Sequence, residues 1–167
     1  MPTLDELKQV VAHCQRCPLA TTRTQVVFGE GNPEAEIMFI GEGPGYYEDQ
    51  QGRPFVGRAG QLLDKMLAAI GLSRQEVYIA NVVKCRPPNN RDPLPEEAEA
   101  CRDYLRWQYK IIRPKIIVCL GAVSARNIIA PDFSITRERG KWVRKAGVWI
   151  LPTYHPAALL RDPAKKR

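Results

Sequence analysis

The chain has 167 residues, 44% of them hydrophobic and 26% charged, which suffices for one domain with a sizeable core and excludes a disordered or fibrous chain. No apolar run approaches the roughly 20 residues of a membrane span, and the start, MPTLDELKQVV, lacks the basic-then-apolar order of a secretory signal, so a cytoplasmic protein without membrane contact is expected. The net charge of +7 is uneven: residues 1–83 carry 7 basic and 10 acidic side chains, residues 84–167 carry 18 and 8, which suits a polyanionic partner such as nucleic acid or, equally, a merely basic surface.

In chain order, TLDELKQVVAHC reads as a helix, with Thr3 and Glu6 spaced as a capping box and Leu4, Leu7 and Val11 on one face. EIMFIGEGPG is a strand running into a glycine-rich loop, and GQLLDKMLAAIGL is an amphipathic helix that Gly71 ends. EVYIANVVKC is a second strand. Residues 95–112 form a third helix, with Glu96, Glu97 and Glu99 near its start and Lys110 near its end, as the helix dipole favours. KIIVCLG is a third strand and 122–129 a short helix; GVWILPTYH is a fourth strand, with Trp142 and Val143 expected to pair with it through a turn at 145–147. Apolar strands alternating with helices give the α/β class: one domain, a three-layer α/β/α sandwich around a central, mostly parallel four-stranded sheet. Ligands of such sheets sit outside the carboxyl ends of the strands, where GEGPG, Asn81 and His155 fall.

Of the five cysteines, Cys119 lies in an apolar strand and reads as a core thiol. Cys14 and Cys17 form a CxxC, Cys85 ends a strand and Cys101 sits early in a helix. A zinc ribbon usually joins two CxxC knuckles. One knuckle plus two separate cysteines suits an iron–sulfur cluster better, with zinc and ordinary core thiols as the alternatives. GEGPG is no nucleotide fingerprint: Tyr46 stands where the third Rossmann glycine belongs, no GK[ST] follows, and Pro44 lacks an N–H for a phosphate. Its glycines allow a flat ligand close to the backbone, or form a plain tight turn.

Together GEGPG…ED at 41–49, GRPFVGRAG at 52–60, NVVKCRPPNNR at 81–91 and HPAALLR at 155–161 resemble the family 4 uracil-DNA glycosylases over nearly the whole chain. The resemblance implies a [4Fe–4S] cluster on Cys14, Cys17, Cys85 and Cys101, with uracil-containing DNA, single- or double-stranded, as partner and free uracil as product. It implies that Phe55 stacks on the extruded uracil, that Asn81 reads its edge, and that Gly41, Glu42 and Gly43 line the pocket. Glu42 would orient water or stabilise the cationic sugar, with Asn90 (Asn89 lies next to it) also positioning water and Glu48 guarding against the thymine methyl. His155 would donate to a uracil carbonyl oxygen as negative charge grows there, across a flat cavity shared with Phe55. Leu159 and Leu160 would form a wedge in the duplex, and Arg161 an anchor for phosphate.

The sequence also departs from that family. Tyr46 and Tyr47 stand where its members commonly carry acids, and the chain stops 12 residues after His155, where members usually continue into another helix. SITRERGKW has no histidine, unlike the corresponding basic loop of a related branch that bonds covalently to DNA, so turnover is expected. The reading is a monomeric, monofunctional glycosylase that leaves an abasic site. The alternative is a non-catalytic iron–sulfur module that binds DNA.

Overall fold

The computed structural model describes residues 2–162. Helix α1 (Leu4–Val11) starts at Thr3, whose hydroxyl accepts the Glu6 N–H at 3.1 Å while Glu6 reaches back, and it buries Leu4, Leu7 and Val11. There follow α2 (Leu19–Thr22), β1 (Glu30–Gly31), β2 (Ile37–Gly41), α3 (Tyr46–Gln51), α4 (Arg58–Ala69) and β3 (Tyr78–Asn81). A 3-10 turn at Pro88–Asn90 leads into α5 (Pro95–Ile112), β4 (Ile116–Leu120), α6 (Ala122–Ile128) and α7 (Ile135–Glu138). The hairpin β5 (Val143–Lys145) and β6 (Val148–Thr153) comes next, and α8 (Pro156–Arg161) after it. Among the described residues no helix is long and apolar enough to cross a membrane.

The sheet has six strands in the order β1-β3-β2-β4-β6-β5, where four were expected. The four central strands are mutually parallel, and β1 and β5 flank them as short antiparallel edges. β5 is the arm foreseen beside the fourth strand. The two residues of β1 are too few to show a period in the sequence.

Side chains alternate across the sheet, as the pleat requires. Met38, Ile40, Ala80, Ile117 and Ile150 meet α1 and α5 on one face, while Phe39, Ile79, Val118 and Leu120 meet Leu63 and Leu67 of α4 on the other. The sandwich is therefore three layers, as expected. After β2 the chain crosses by α4 to β3 on one side, and then by α5 to β4 on the other. The strand order reverses at β2, which leaves a crevice between the carboxyl ends of β2 and β4, the usual ligand position of an open α/β sheet.

Candidate active site

A cleft of about 600 Å³ opens at that crevice. Glu42 follows β2, Asn81 ends β3, Gly121 follows β4, and His155 lies just beyond β6, so register alone gathers three side chains and a glycine. Gly41 pairs with Asn81 across the sheet. A Cβ on Gly41 would lie 2.5 Å from the Phe55 ring and 2.6 Å from Asn81 Oδ1, so a glycine is required for ring and amide to share one corner. Asn81 is only 2% exposed, yet its Oδ1 has no hydrogen-bond partner among the described residues. An unpaired buried amide oxygen costs about 1–3 kcal/mol, so this one is able to accept from a donor that enters the cleft.

Phe55 has a backbone φ of 52°, a left-handed conformation that bulky residues seldom adopt. Two charged groups hold it there. Arg74 donates to the carbonyls of Pro54 and Phe55 at 2.6 and 2.9 Å, and pairs with Glu30 and Asp64. Glu48 accepts from the N–H groups of Gly45, Val56 and Gly57 at 2.8–3.0 Å, tying the head of α3 to the loop after Phe55. Glu48 lines the cleft, but both of its oxygens are engaged in this tie. Arg74 escapes notice in the sequence because its partners lie 10–44 residues away.

The opposite wall is α8. His155 caps it by accepting the Ala157 N–H on Nδ1 at 3.0 Å, and Pro156 occupies the first helical position. With Nδ1 occupied as acceptor, a neutral imidazole carries its proton on Nε2, and burial, aided by the nearby Arg161, pushes the ring's pKa down to about 4. The ring is therefore a neutral donor at pH 7, with no hydrogen bond to Nε2 among the described residues. The expected flat slot between His155 and Phe55 is absent. Their rings stack 5.4 Å apart at 27°, short of the about 7 Å that a base between them needs at a carbon–carbon separation of ~3.5 Å on each side. A base in the cleft therefore meets His155 by its edge.

Glu42 accepts the Val123 N–H at 3.1 Å, and burial raises its carboxyl above the ordinary value, with Asp92 adding to the effect. Gly121, at φ 100°, is what lets Glu42 and His155 approach: a Cβ there would lie 2.6 Å from Glu42 Oε2 and 3.1 Å from His155 Cβ. The glycine ending KIIVCLG was the only sequence sign of it. Gly43 and Asn90 line the cleft and Asn89 does not, although both asparagines have φ 56°. Asn90 is fixed by Arg86, which donates to its Oδ1 at 2.7 Å. Arg91 holds the same loop onto α5 through a two-pronged contact with buried Glu97 at 2.8 and 2.9 Å. Arg161 is exposed at the rim. Leu159 corrects the expectation of an exposed leucine pair: it is 7% exposed, turned inward on a helix that packs against α4, and half-buried Leu160 alone remains towards solvent.

The cysteines form a second centre. Among the described residues no cluster of three or more His, Cys, Asp or Glu side chains stands as a ready metal cage. Cys101 nevertheless senses the charges of Cys14 and Cys17, and Cys85 those of Cys101 and Cys17, so the four thiols are neighbours. Arg23 donates to Cys85 Sγ at 3.2 Å, and the Lys84 N–H to Cys101. The Lys84 side chain is 1% exposed and donates to the Asn81 carbonyl at 2.8 Å, with burial bringing its ammonium down to about 7 against the opposing pull of Cys101 and Cys85. Four soft thiols with two cations close by fit a metal group bound through thiolates. Cys119 is fully buried in β4 and takes no part.

The model of the uracil DNA glycosylase superfamily matches residues 28–167. Similar curated proteins include type-4 uracil-DNA glycosylases of Sulfurisphaera tokodaii (52% identical, covering 98% of this chain and 78% of the relative) and Archaeoglobus fulgidus (50%, 98% and 86%). Another, from Thermotoga maritima, is 49% identical over 97% of this chain and 88% of its own length. With such a match over most of its length, and relatives about half identical over nearly the whole of this chain, the chain belongs to the uracil-DNA glycosylase superfamily, in its type-4 branch.

Proposed function

We propose that this protein removes uracil from DNA by hydrolysing the bond between N1 of the base and C1′ of deoxyribose, releasing free uracil and leaving an abasic site. The observation that carries the reading is the buried, unpartnered Asn81 amide at the floor of the cleft. Uracil offers N3–H to such an oxygen and its O4 to the amide N–H. Cytosine reverses both, so the amide orientation that pairs with uracil leaves cytosine unpaired.

The chemistry follows from where charge develops. As N1–C1′ breaks, its electron pair moves into the uracil ring and the sugar becomes cationic. The neutral His155 Nε2–H then faces a carbonyl oxygen whose negative charge is growing, so its hydrogen bond strengthens on the way to the transition state. Glu42, ionised, offsets the positive sugar and takes a proton from the water whose oxygen bonds to C1′, and Asn90 helps to hold that water. Phe55 supports the face of the base, while Glu48 acts by fixing the loop that carries Phe55. Leu160 fills the step that the extruded base vacates in a duplex, and Arg161 contacts phosphate.

Cys14, Cys17, Cys85 and Cys101 would hold a [4Fe–4S] cluster, zinc being the other candidate. Cys85 lies in the loop beyond Asn81 and does not end the strand as expected, so when bound that group supplies a cross-link joining the amino-terminal segment to the loop after β3 and to the second turn of α5. Iron and sulfide analysis distinguishes the two. Incubating the protein with matched U- and T-containing oligonucleotides, followed by alkali, tests the activity. Strand breaks at U alone are expected, whereas binding without breaks would favour a non-catalytic iron–sulfur module.

A further inference from the structure

Two aromatic rings stand at the mouth of the cleft with no structural reason to be exposed. Tyr46 and Tyr47, the first two residues of α3, are 51% and 58% exposed and pack edge to face at 5.3 Å. The core does not use them, for α3 buries only Asp49. Both line the cleft, and the Arg86 guanidinium lies 5.3 Å from the Tyr46 ring centroid while bonding to Asn90. The other exposed aromatic pair, Trp142 and Trp149, lies on the β5–β6 hairpin and does not reach the cleft.

We propose that Tyr46 and Tyr47 form a stacking surface for the bases next to the extruded uracil on the same DNA strand. The inference rests on the uracil-excising reading of the cleft and extends it from one nucleotide to its neighbours. Continuity with the cleft identifies the occupant: both rings belong to the same lining as Asn81, so a strand that delivers a base there can lay its neighbouring bases on them. Charge agrees, because Arg58 and Arg161 are exposed on the same lining, with Arg91 paired to Glu97, while the one exposed acid there is Asp92 and Glu42 and Glu48 are bonded to backbone amides. An exposed ring accepts any base face, so the surface holds flanking bases without reading their sequence. It serves single-stranded DNA best, where those bases are free of a complementary strand.

The test compares a single-stranded pentanucleotide with central uracil and the same oligonucleotide carrying tetrahydrofuran abasic residues on both sides of the uracil. For the unmodified protein, removing the flanking bases should lower kcat/KM about 5- to 150-fold, the range for stacking one base on an aromatic ring. The Y46A/Y47A variant should show a similar loss on the intact pentanucleotide and little further loss on the abasic one, with Y46F/Y47F restoring the dependence on flanking bases. Inhibition by free uracil, measured in parallel, reports on the pocket itself. An equal loss on both substrates, no loss on either, or a matching loss of affinity for uracil would each overturn the proposal. Absence of uracil release by the unmodified protein from every substrate would instead defeat the functional reading beneath it.

Discussion

The two walls of the cleft are built by different means. The Phe55 wall is pinned by charge: Arg74 grips two successive carbonyls, Glu48 gathers three amide N–H groups, and a left-handed phenylalanine is held in place between them. The His155 wall is a six-residue helix fixed by one side-chain cap, a proline and the packing of buried Leu159 towards α4. A recognition surface gains from being unable to adjust, since adjustment is how cytosine would be admitted. The His155 wall depends on apolar packing and a single capped donor, so its fixity comes from shape where that of the Phe55 wall comes from charge.

Substitutions can break this contrast, and the largest effect is expected where the chemistry is concentrated. Glu42→Gln should lower kcat by about 10³-fold, within the 10²–10⁴ typical of a lost proton acceptor. Because burial raises the Glu42 carboxyl while His155 is held down to about 4, the acid limb of the rate profile should follow Glu42 and disappear in this variant. An unchanged limb would assign it elsewhere. His155→Ala should lower kcat by about 10²–10³-fold with little change in affinity for free uracil; a fall confined to KM would count against transition-state donation. The same depressed histidine affects stability. The unfolded chain takes up its proton near pH 6.5 and the folded one only near 4, so stability is full above 6.5 and declines as pH falls towards 4. Urea titrations across that window should show a smaller decline in His155→Ala.

Smaller effects sharpen the comparison. Arg74→Met should reduce kcat/KM about 10- to 150-fold, equivalent to the ~1.5–3 kcal/mol of one charged hydrogen bond, and should add nothing in a Phe55→Ala background if it acts only by holding that ring. Additive losses would show a separate role. Smallest on catalysis, Leu160→Ala should cost a few-fold on duplex substrate and nothing on single strands. Its buried neighbour differs, since Leu159→Ala should chiefly lower stability, by about 2–5 kcal/mol; a thermal melt separates the two.

Much of this was legible in advance because it is written in local patterns. The four parallel strands, α1 with its capping box, and α5 from 95 to 112 follow from periodicity and end signals. The placement of Asn81 and His155 follows from their positions at strand ends. What escaped depends on contacts between distant residues. α3 is hidden because two glycines and a proline precede it and it buries a single residue. Arg74 and Lys84 look like ordinary surface cations until the fold places them beside a carbonyl that needs fixing. The expected gap between Phe55 and His155 depended on ring orientation, which no spacing encodes. Leu159 and Leu160 are adjacent in sequence, and only the docking of α8 on α4 decides which faces out.

The margins of the sheet have a consequence when molecules crowd. β5 is three residues long and presents Arg144 and Lys145, and β1 is only two residues long. Brief borders, cationic at β5, deter strand-to-strand addition between molecules. Many copies can thus crowd together without zipping into an aggregate.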